Sequence, residues 1–266
     1  MKKFLGQHFL INQAAIKKIV AALNLKSGDT VIEIGPGRGA LTFPILEECR
    51  KLNCKIIGIE KDKELVNKLL SHSVIGLKVM VGDALKILPD LMTQLPNNSV
   101  TKIVGNIPYY ITGKLLRTLG DLITNNQLLI TKIILMLQKE VAERICAQPP
   151  RMNLLAAAVQ FWAEPKILFS LKPSDFSPPP EVHSAVIKLE TRKQNLESRI
   201  MENYYKLIKI VFKQPRKTLV NNLGIGLKRP KNEIENTLKK VGIDPLCRPQ
   251  NLSIKDLHLL TTLFLG

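Results

Sequence analysis

The chain has 266 residues, 45% of them apolar, which suits one large domain, or a typical domain with a small appendage, around a real buried core. Its net charge of +17 favours a polyanionic partner, either a nucleic acid or an anionic membrane. The cysteines (Cys49, Cys54, Cys146, Cys247) form no C-x-x-C pair and do not cluster with the histidines, which argues against a metal site or a disulfide framework.

The start, Met1-Lys2-Lys3-Phe4-Leu5, resembles a signal n-region, but the apolar run fails at Gly6-Gln7-His8. No apolar run is long enough to span a bilayer, so a cytoplasmic protein without a membrane partner is expected. Ile16, Ile19, Val20 and Leu23 predict a helix over residues 14–23. A β-branched strand over 30–34 ends at Gly35, and glycines at 35, 37 and 39 lead into a helix over 41–49. A strand at 55–60, a helix at 65–70 and a strand at 77–81 follow. A fourth strand at 102–104 runs into Gly105-Asn106-Ile107-Pro108-Tyr109-Tyr110, and residues 114–123 read as a helix. A fifth strand at 130–137 precedes a helix at 140–147. This alternation means βαβ units and a parallel sheet covered on both faces.

The pattern changes after Trp162. Strands at 167–171 and 184–189 flank Ser177-Pro178-Pro179-Pro180 with no helix between them. Residues 193–198 are polar and read as a linker. Beyond them helices are predicted at 200–212, 218–223, 233–241 and 254–265, the last with Ser253 and Asp256 as its N-cap pair. The expected organisation is therefore an α/β domain over 1–193 and an all-helical domain over 194–266. From Ser177 onward there are 16 Lys/Arg against 8 Asp/Glu, making the tail the denser basic surface. Charge alone does not separate a nucleic-acid surface from a solvated helical bundle.

Glu33-Ile34-Gly35-Pro36-Gly37-Arg38-Gly39 is a glycine-rich turn between strand and helix, where backbone can approach a ligand. Glu60 ends the second strand, where a carboxylate can accept both ribose hydroxyls. Asp83 ends the third, where it can accept from an adenine amine. A dinucleotide would need pyrophosphate on this turn. Pro36 removes one N–H and Glu33 adds negative charge, which disfavours phosphate and suits a cation such as the sulfonium of S-adenosylmethionine.

An adenine exocyclic amine is a poor nucleophile because its lone pair is delocalised into the ring. Two acceptors against its hydrogens pull the nitrogen toward tetrahedral geometry. The Asn106 side-chain oxygen can be one and the Ile107 carbonyl, fixed by Pro108, the other; Tyr109 can stack on the base. Methyl transfer at the sulfonium is then dominated by positioning and electrostatics.

Six motifs occur in order: Gly6-Gln7-His8-Phe9-Leu10; the glycine turn continued through Ala40-Leu41-Thr42; Gly82-Asp83-Ala84-Leu85; Gly105-Asn106-Ile107-Pro108-Tyr109; Gln138-Lys139-Glu140-Val141-Ala142-Glu143-Arg144; and Phe176-Ser177-Pro178-Pro179-Pro180-Glu181-Val182-His183-Ser184. Together they resemble the KsgA/RsmA family of ribosomal RNA adenine dimethyltransferases. The resemblance implies a class I methyltransferase (Rossmann-like) domain with a seven-stranded, mostly parallel sheet and a small all-helical C-terminal domain. It implies dimethylation of two adjacent adenosines near the 3′ end of 16S rRNA, within the immature small subunit, by a monomer. Matching positions imply that His8, Leu10, Gly35, Gly37, Glu60, Asp83 and Asn106 bind S-adenosylmethionine. They also imply that Phe176 stacks on the base face opposite Tyr109; the basic tail is expected to bind RNA through Arg216 and Lys217. The flipped-out target is the logic of nucleobase enzymes.

Three stretches depart from the family. Arg151-Met152-Asn153-Leu154 stands where a Tyr-Gly pair is usual, Glu181 replaces a lysine, and Pro215 interrupts a basic run and is expected to start a helix. An Erm-type 23S rRNA methyltransferase and a ribosome-assembly factor with secondary methylation are the alternatives. Ala40-Leu41-Thr42 and the Phe176 to Ser184 segment resemble the small-subunit family better than the Erm type. Tyr110 has no assigned role.

Overall fold

The structure is a computed structural model that describes residues 7–71, 76–96, 99–125, 129–192 and 198–266. In chain order the elements are β1 (Phe9–Leu10), α1 (Gln13–Leu23), β2 (Thr30–Ile34), α2 (Thr42–Leu52), β3 (Lys55–Glu60), α3 (Lys63–Leu70), β4 (Leu77–Val81), α4 (Ala84–Gln94) and β5 (Val100–Asn106). A 3-10 turn at Tyr109–Ile111 leads to α5 (Thr112–Asn125), β6 (Leu129–Gln138), α6 (Lys139–Ile145), α7 (Leu154–Gln160), β7 (Ala163–Leu171), β8 (Phe176–Ser177) and β9 (Ser184–Thr191). The chain closes with α8 (Ser198–Val211), α9 (Leu219–Leu227), α10 (Lys231–Lys240) and α11 (Ile254–Leu265).

Contacts divide the chain into two compact units, 1–142 with 163–193, and 143–162 with 194–266. In the first, seven strands form one sheet in the order β4-β3-β2-β5-β6-β9-β7. Strands β2 to β6 pair in parallel, and β9 alone runs antiparallel to its neighbours β6 and β7. This is the mostly parallel, seven-stranded sheet expected of a class I methyltransferase. All five residues of β2 are buried, as a central strand covered on both faces requires. Ile16, Ile19 and Leu23 of α1 pack with Val31 and with Ile134 and Met136 of β6 in one core, each such burial worth about 1.5–3 kcal/mol. The order reverses beside β2: β3 lies on one side and β5 on the other. The crevice beyond the C-terminal ends of β2 and β5 is thus the switch point where open α/β sheets bind ligands.

The opposite end of β2 is closed electrostatically. Lys102 Nζ lies 2.5 Å from Asp29 Oδ2, both side chains about 5% exposed, and also donates to the Asn24 carbonyl at 2.5 Å. Asp29 Oδ2 accepts a further bond from the Lys26 N–H at 2.7 Å.

In the second unit, residues 143–162 cluster with the C-terminal helices, although they precede β7 in the chain. Ala156 and Ala157 are fully buried and let α8 approach closely enough for Tyr204 Oη to donate to the Ala157 carbonyl at 3.0 Å. The Phe161 and Tyr204 rings stack with centroids 3.9 Å apart. The boundary expected at 193/194 lies outside the described residues.

Several features depart from the sequence-based expectations. Helices α4, with Pro89 inside it, and α7 have no counterpart among the expected elements. Strands β1 and β8 are two residues each and exist only by pairing with each other, Phe9 opposite Ser177 and Leu10 opposite Phe176. Pro215 does not begin a helix: it lies in an exposed turn, and α9 starts at Leu219.

Candidate active site

An open cavity lies beyond the C-terminal ends of β2, β3, β5 and β6, at the strand ends where open α/β sheets bind ligands. It brings together most of the residues singled out from the sequence. His8, Leu10, Gly35, Gly37, Glu60 and Asn106 line it. Ile107, Pro108 and Phe176 line it as well. Asp83 is not part of the lining. It caps α4 from the end of the edge strand β4, with Oδ1 accepting from the Leu85 N–H at 2.9 Å. The Gly82 N–H donates to the Glu60 carbonyl at 2.8 Å, which ties that edge to the cavity wall. The side chain of Tyr109 and residue Gly6 lie outside the described residues; Tyr110 is 65% exposed.

Local structure explains the grouping. Asn12 caps α1, its Oδ1 accepting from the Ala15 N–H at 3.0 Å, while its Nδ2 donates to Asp175 Oδ1 at 2.7 Å. That bond, followed by the Lys172 N–H, holds the Asp175 carboxyl below its ordinary pKa. The β1–β8 pair and a bond from His8 Nδ1 to the Pro178 carbonyl at 2.9 Å then bring the N-terminal segment and Phe176 to one wall. Asn106 Nδ2 donates to the His8 carbonyl at 2.7 Å. This fixes the amide, and no described residue donates to its Oδ1. Ile107 is anchored by its buried side chain and by its N–H to the Met136 carbonyl at 3.2 Å.

Two glycines are required by close approach. A Cβ on Gly105 would lie 2.6 Å from the Ile34 carbonyl oxygen, so any other residue would push β5 off β2. Gly37 has φ +57°, and a Cβ there would lie 3.0 Å from the Phe9 ring.

The cavity carries two buried acids. Glu60 is 6% exposed and already serves backbone: Oε2 accepts from the Gly37 N–H at 3.0 Å and Oε1 from the Asp62 N–H at 2.9 Å. Each oxygen keeps one lone pair. Glu33 is 2% exposed, and its Oε2 has no hydrogen-bond partner among the described residues. Burial pushes its pKa up to about 7; the Thr42 hydroxyl opposes this and the Glu60 carboxylate adds to it. A buried acid lacking a partner is costly unless a ligand supplies one, and a cation is the ligand that fits. Among the described residues, no group of three or more His, Cys, Asp or Glu side chains could hold a metal ion. No described helix is long and apolar enough to cross a membrane.

In the second unit Arg216 and Lys217 sit exposed in the turn between α8 and α9. The buried Asn222, absent from the sequence reading, braces that turn. Its Oδ1 accepts from the Gln214 N–H at 3.1 Å, and its Nδ2 donates to the carbonyls of Gln214 at 3.1 Å and Thr218 at 3.2 Å. Sequence reasoning also missed Phe9 and Met136 as lining residues. Met136, near the end of β6, could have been found by the strand-end rule; Phe9 depends on the long-range β1–β8 pairing.

The family model described as ribosomal RNA adenine dimethylase matches residues 1–264. A ribosomal RNA small subunit methyltransferase A of Dehalococcoides mccartyi is 36% identical over 268 residues, covering 100% of this chain and 89% of the relative. A dimethyladenosine transferase from Plasmodium falciparum superposes with a TM-score of 0.78 at 26% identity over 96% of both chains. The 23S rRNA methyltransferase ErmE gives 0.70 at 22% identity over 96% of this chain and 99% of that one, a likeness of fold alone.

Proposed function

The chain belongs to the ribosomal RNA adenine dimethylase family, and from that premise we propose that its cavity binds S-adenosylmethionine and one flipped-out adenosine of 16S rRNA at a time. The chain is a ribosomal RNA adenine dimethyltransferase acting on the small-subunit RNA. The observation that carries the cofactor reading is the buried Glu33 carboxyl in the cavity wall, whose Oε2 has no partner among the described residues. It suits a donor bearing positive charge and disfavours a pyrophosphate.

When bound, S-adenosylmethionine supplies an electrophilic methyl group on a cationic sulfur. The rest of the work falls to the chain. Glu60 offers its remaining lone pairs to the ribose hydroxyls. Asp83, whose Oδ1 is engaged in the cap, has Oδ2 for the donor's adenine amine. Asn106, held by its bond to His8, accepts one hydrogen of the target amine through Oδ1, and the Ile107 carbonyl accepts the other. The nitrogen lone pair is thereby drawn out of the ring and aimed along the line of transfer. Phe176 stacks on one face of the base. Leu10, Leu41 and Met136 make the walls apolar, which strengthens each polar contact. After transfer the cationic amine loses its proton to water, so no strong protein base is needed.

Arg216 and Lys217 supply phosphate contacts from the second unit. The protein works as a monomer on the immature small subunit, where binding and catalysis coexist. The large-subunit enzyme shares the fold, so fold does not choose between the two substrates. Primer extension across both rRNAs, after expression in a methylation-deficient host, tests the choice. A stop is expected near the 16S 3′ end, and a stop in the 23S RNA instead would overturn it.

A further inference from the structure

A second open cavity adjoins the first. The two share Gln7, Phe9, Gly37 and Arg38. They share the Arg38 cation but differ in their acids. The first contains the Glu33 and Glu60 carboxylates, whereas the second contains Arg38 and Lys68 and no acid. Its remaining wall includes Leu69 and Pro178.

Arg38 is exposed, and its guanidinium carbon lies 4.4 Å from the centre of the Phe9 ring. Phe9 is itself fixed, because β1 pairs with β8 and Gly37 leaves room for the ring. No ion pair engages Arg38 among the described residues. A guanidinium supported on one face by an aromatic ring offers its other face for stacking and its N–H groups for an oxyanion. Arginine planes stack unpaired RNA bases in this way.

We propose that this groove is a subsite for the nucleotide next to the target adenosine in the RNA strand, with Arg38 stacking on its base and Arg38 and Lys68 holding its phosphodiester. The inference rests on the reading of the neighbouring cavity as the methylation site. It gives the strand a defined path: one base enters the acid-lined cavity while its neighbour stays on the basic rim. The flipped state is then held by contacts that do not depend on the target base.

The test uses the full chain with Arg38→Gln, Lys68→Gln and Arg38→Lys. Three quantities are measured: equilibrium affinity for S-adenosylmethionine, affinity for a short single-stranded RNA containing the target adenosines and their neighbours, and KM for immature small subunits. For Arg38→Gln, RNA affinity is expected to fall about tenfold, the loss of one charge-assisted contact. Its salt slope should become shallower by roughly 0.7, as for one single-strand phosphate. Donor affinity should stay within about twofold of wild type. Lys68→Gln should weaken RNA binding less, and Arg38→Lys should recover the salt slope without the stacking. Loss of donor affinity with unchanged RNA binding would overturn the proposal and assign Arg38 to the donor's carboxylate. No change in either affinity would make the groove inert. Failure of the wild-type protein to methylate 16S rRNA would strike the underlying reading instead, and the RNA-affinity arm would still report on the groove.

Discussion

Two buried carboxylates stand four residues apart along one segment, and they are treated in opposite ways. Asp29, just before β2, is paired with Lys102 and with the Lys26 N–H. Glu33, near the other end of β2, has an oxygen with no partner among the described residues. Both are almost fully buried. The N-terminal end of the sheet therefore closes its own electrostatics, and the C-terminal end leaves them open. Native folds tolerate such incomplete pairing chiefly where a ligand completes it.

Removing a partner from the closed end should have the largest effect. Lys102→Ala leaves Asp29 buried without a counter-charge and is expected to cost about 3–5 kcal/mol of stability. Urea denaturation measures it, and a loss below about 1 kcal/mol would show that the pair is only incidental. At the open end, Asn106→Ala should instead spare stability and slow methyl transfer by about 100- to 1000-fold, the scale set by losing one preorganised polar contact. Binding to immature subunits should persist. Equal loss of binding and transfer would contradict the separation of roles.

Glu33 tests the comparison through pH. Its folded-state pKa, near 7, lies above its ordinary value of 4.5, so between these values the native chain holds a proton that the unfolded chain has released. Stability without ligand should be greatest below pH 4.5 from this group and fall as pH rises through 7. The loss integrates to roughly 3 kcal/mol by pH 8. Glu33→Gln should remove that slope and stabilise the ligand-free protein at pH 8, as denaturation at pH 5 and pH 8 would reveal. The same variant should bind S-adenosylmethionine more weakly at pH 8, and its affinity should lose the wild-type rise with pH. An unchanged pH slope would detach Glu33 from the cation. The smallest effect is expected on the basic turn. Arg216→Ala and Lys217→Ala should each weaken RNA binding about tenfold or less, with a shallower salt dependence. A salt slope equal to the parent's would exclude phosphate contacts there.

Much of this site was legible because the sheet places ligands at strand ends. The β-branched run of β2 with the glycines after it, the strand ending at Glu60 and the strand preceding Asn106 locate Gly35, Glu60 and Asn106 from local pattern alone. What stayed hidden depends on distant pairing. Nothing local to Phe9 announces that Ser177 will lie opposite it, and nothing local to Asn222 announces that it braces Gln214 and Thr218. Asp83 read as a pocket residue from its strand-end position, yet its nearest duty is to cap α4, with one oxygen taken by the Leu85 N–H. Residues 143–162 follow the βαβ pattern in sequence but cluster with the C-terminal helices, because three consecutive alanines make a smooth face for Tyr204 and Tyr205.

The most direct test of the central claim is mass spectrometry of the 16S 3′ fragment, after immature small subunits are incubated with S-adenosylmethionine and either wild-type protein or Asn106→Ala. The expected result is two adjacent adenosines, each carrying two methyl groups, with wild type, and unmodified adenosines with the variant although it still binds the subunits. Methylation by Asn106→Ala at the wild-type rate, or methyl groups elsewhere in the RNA, would contradict the account.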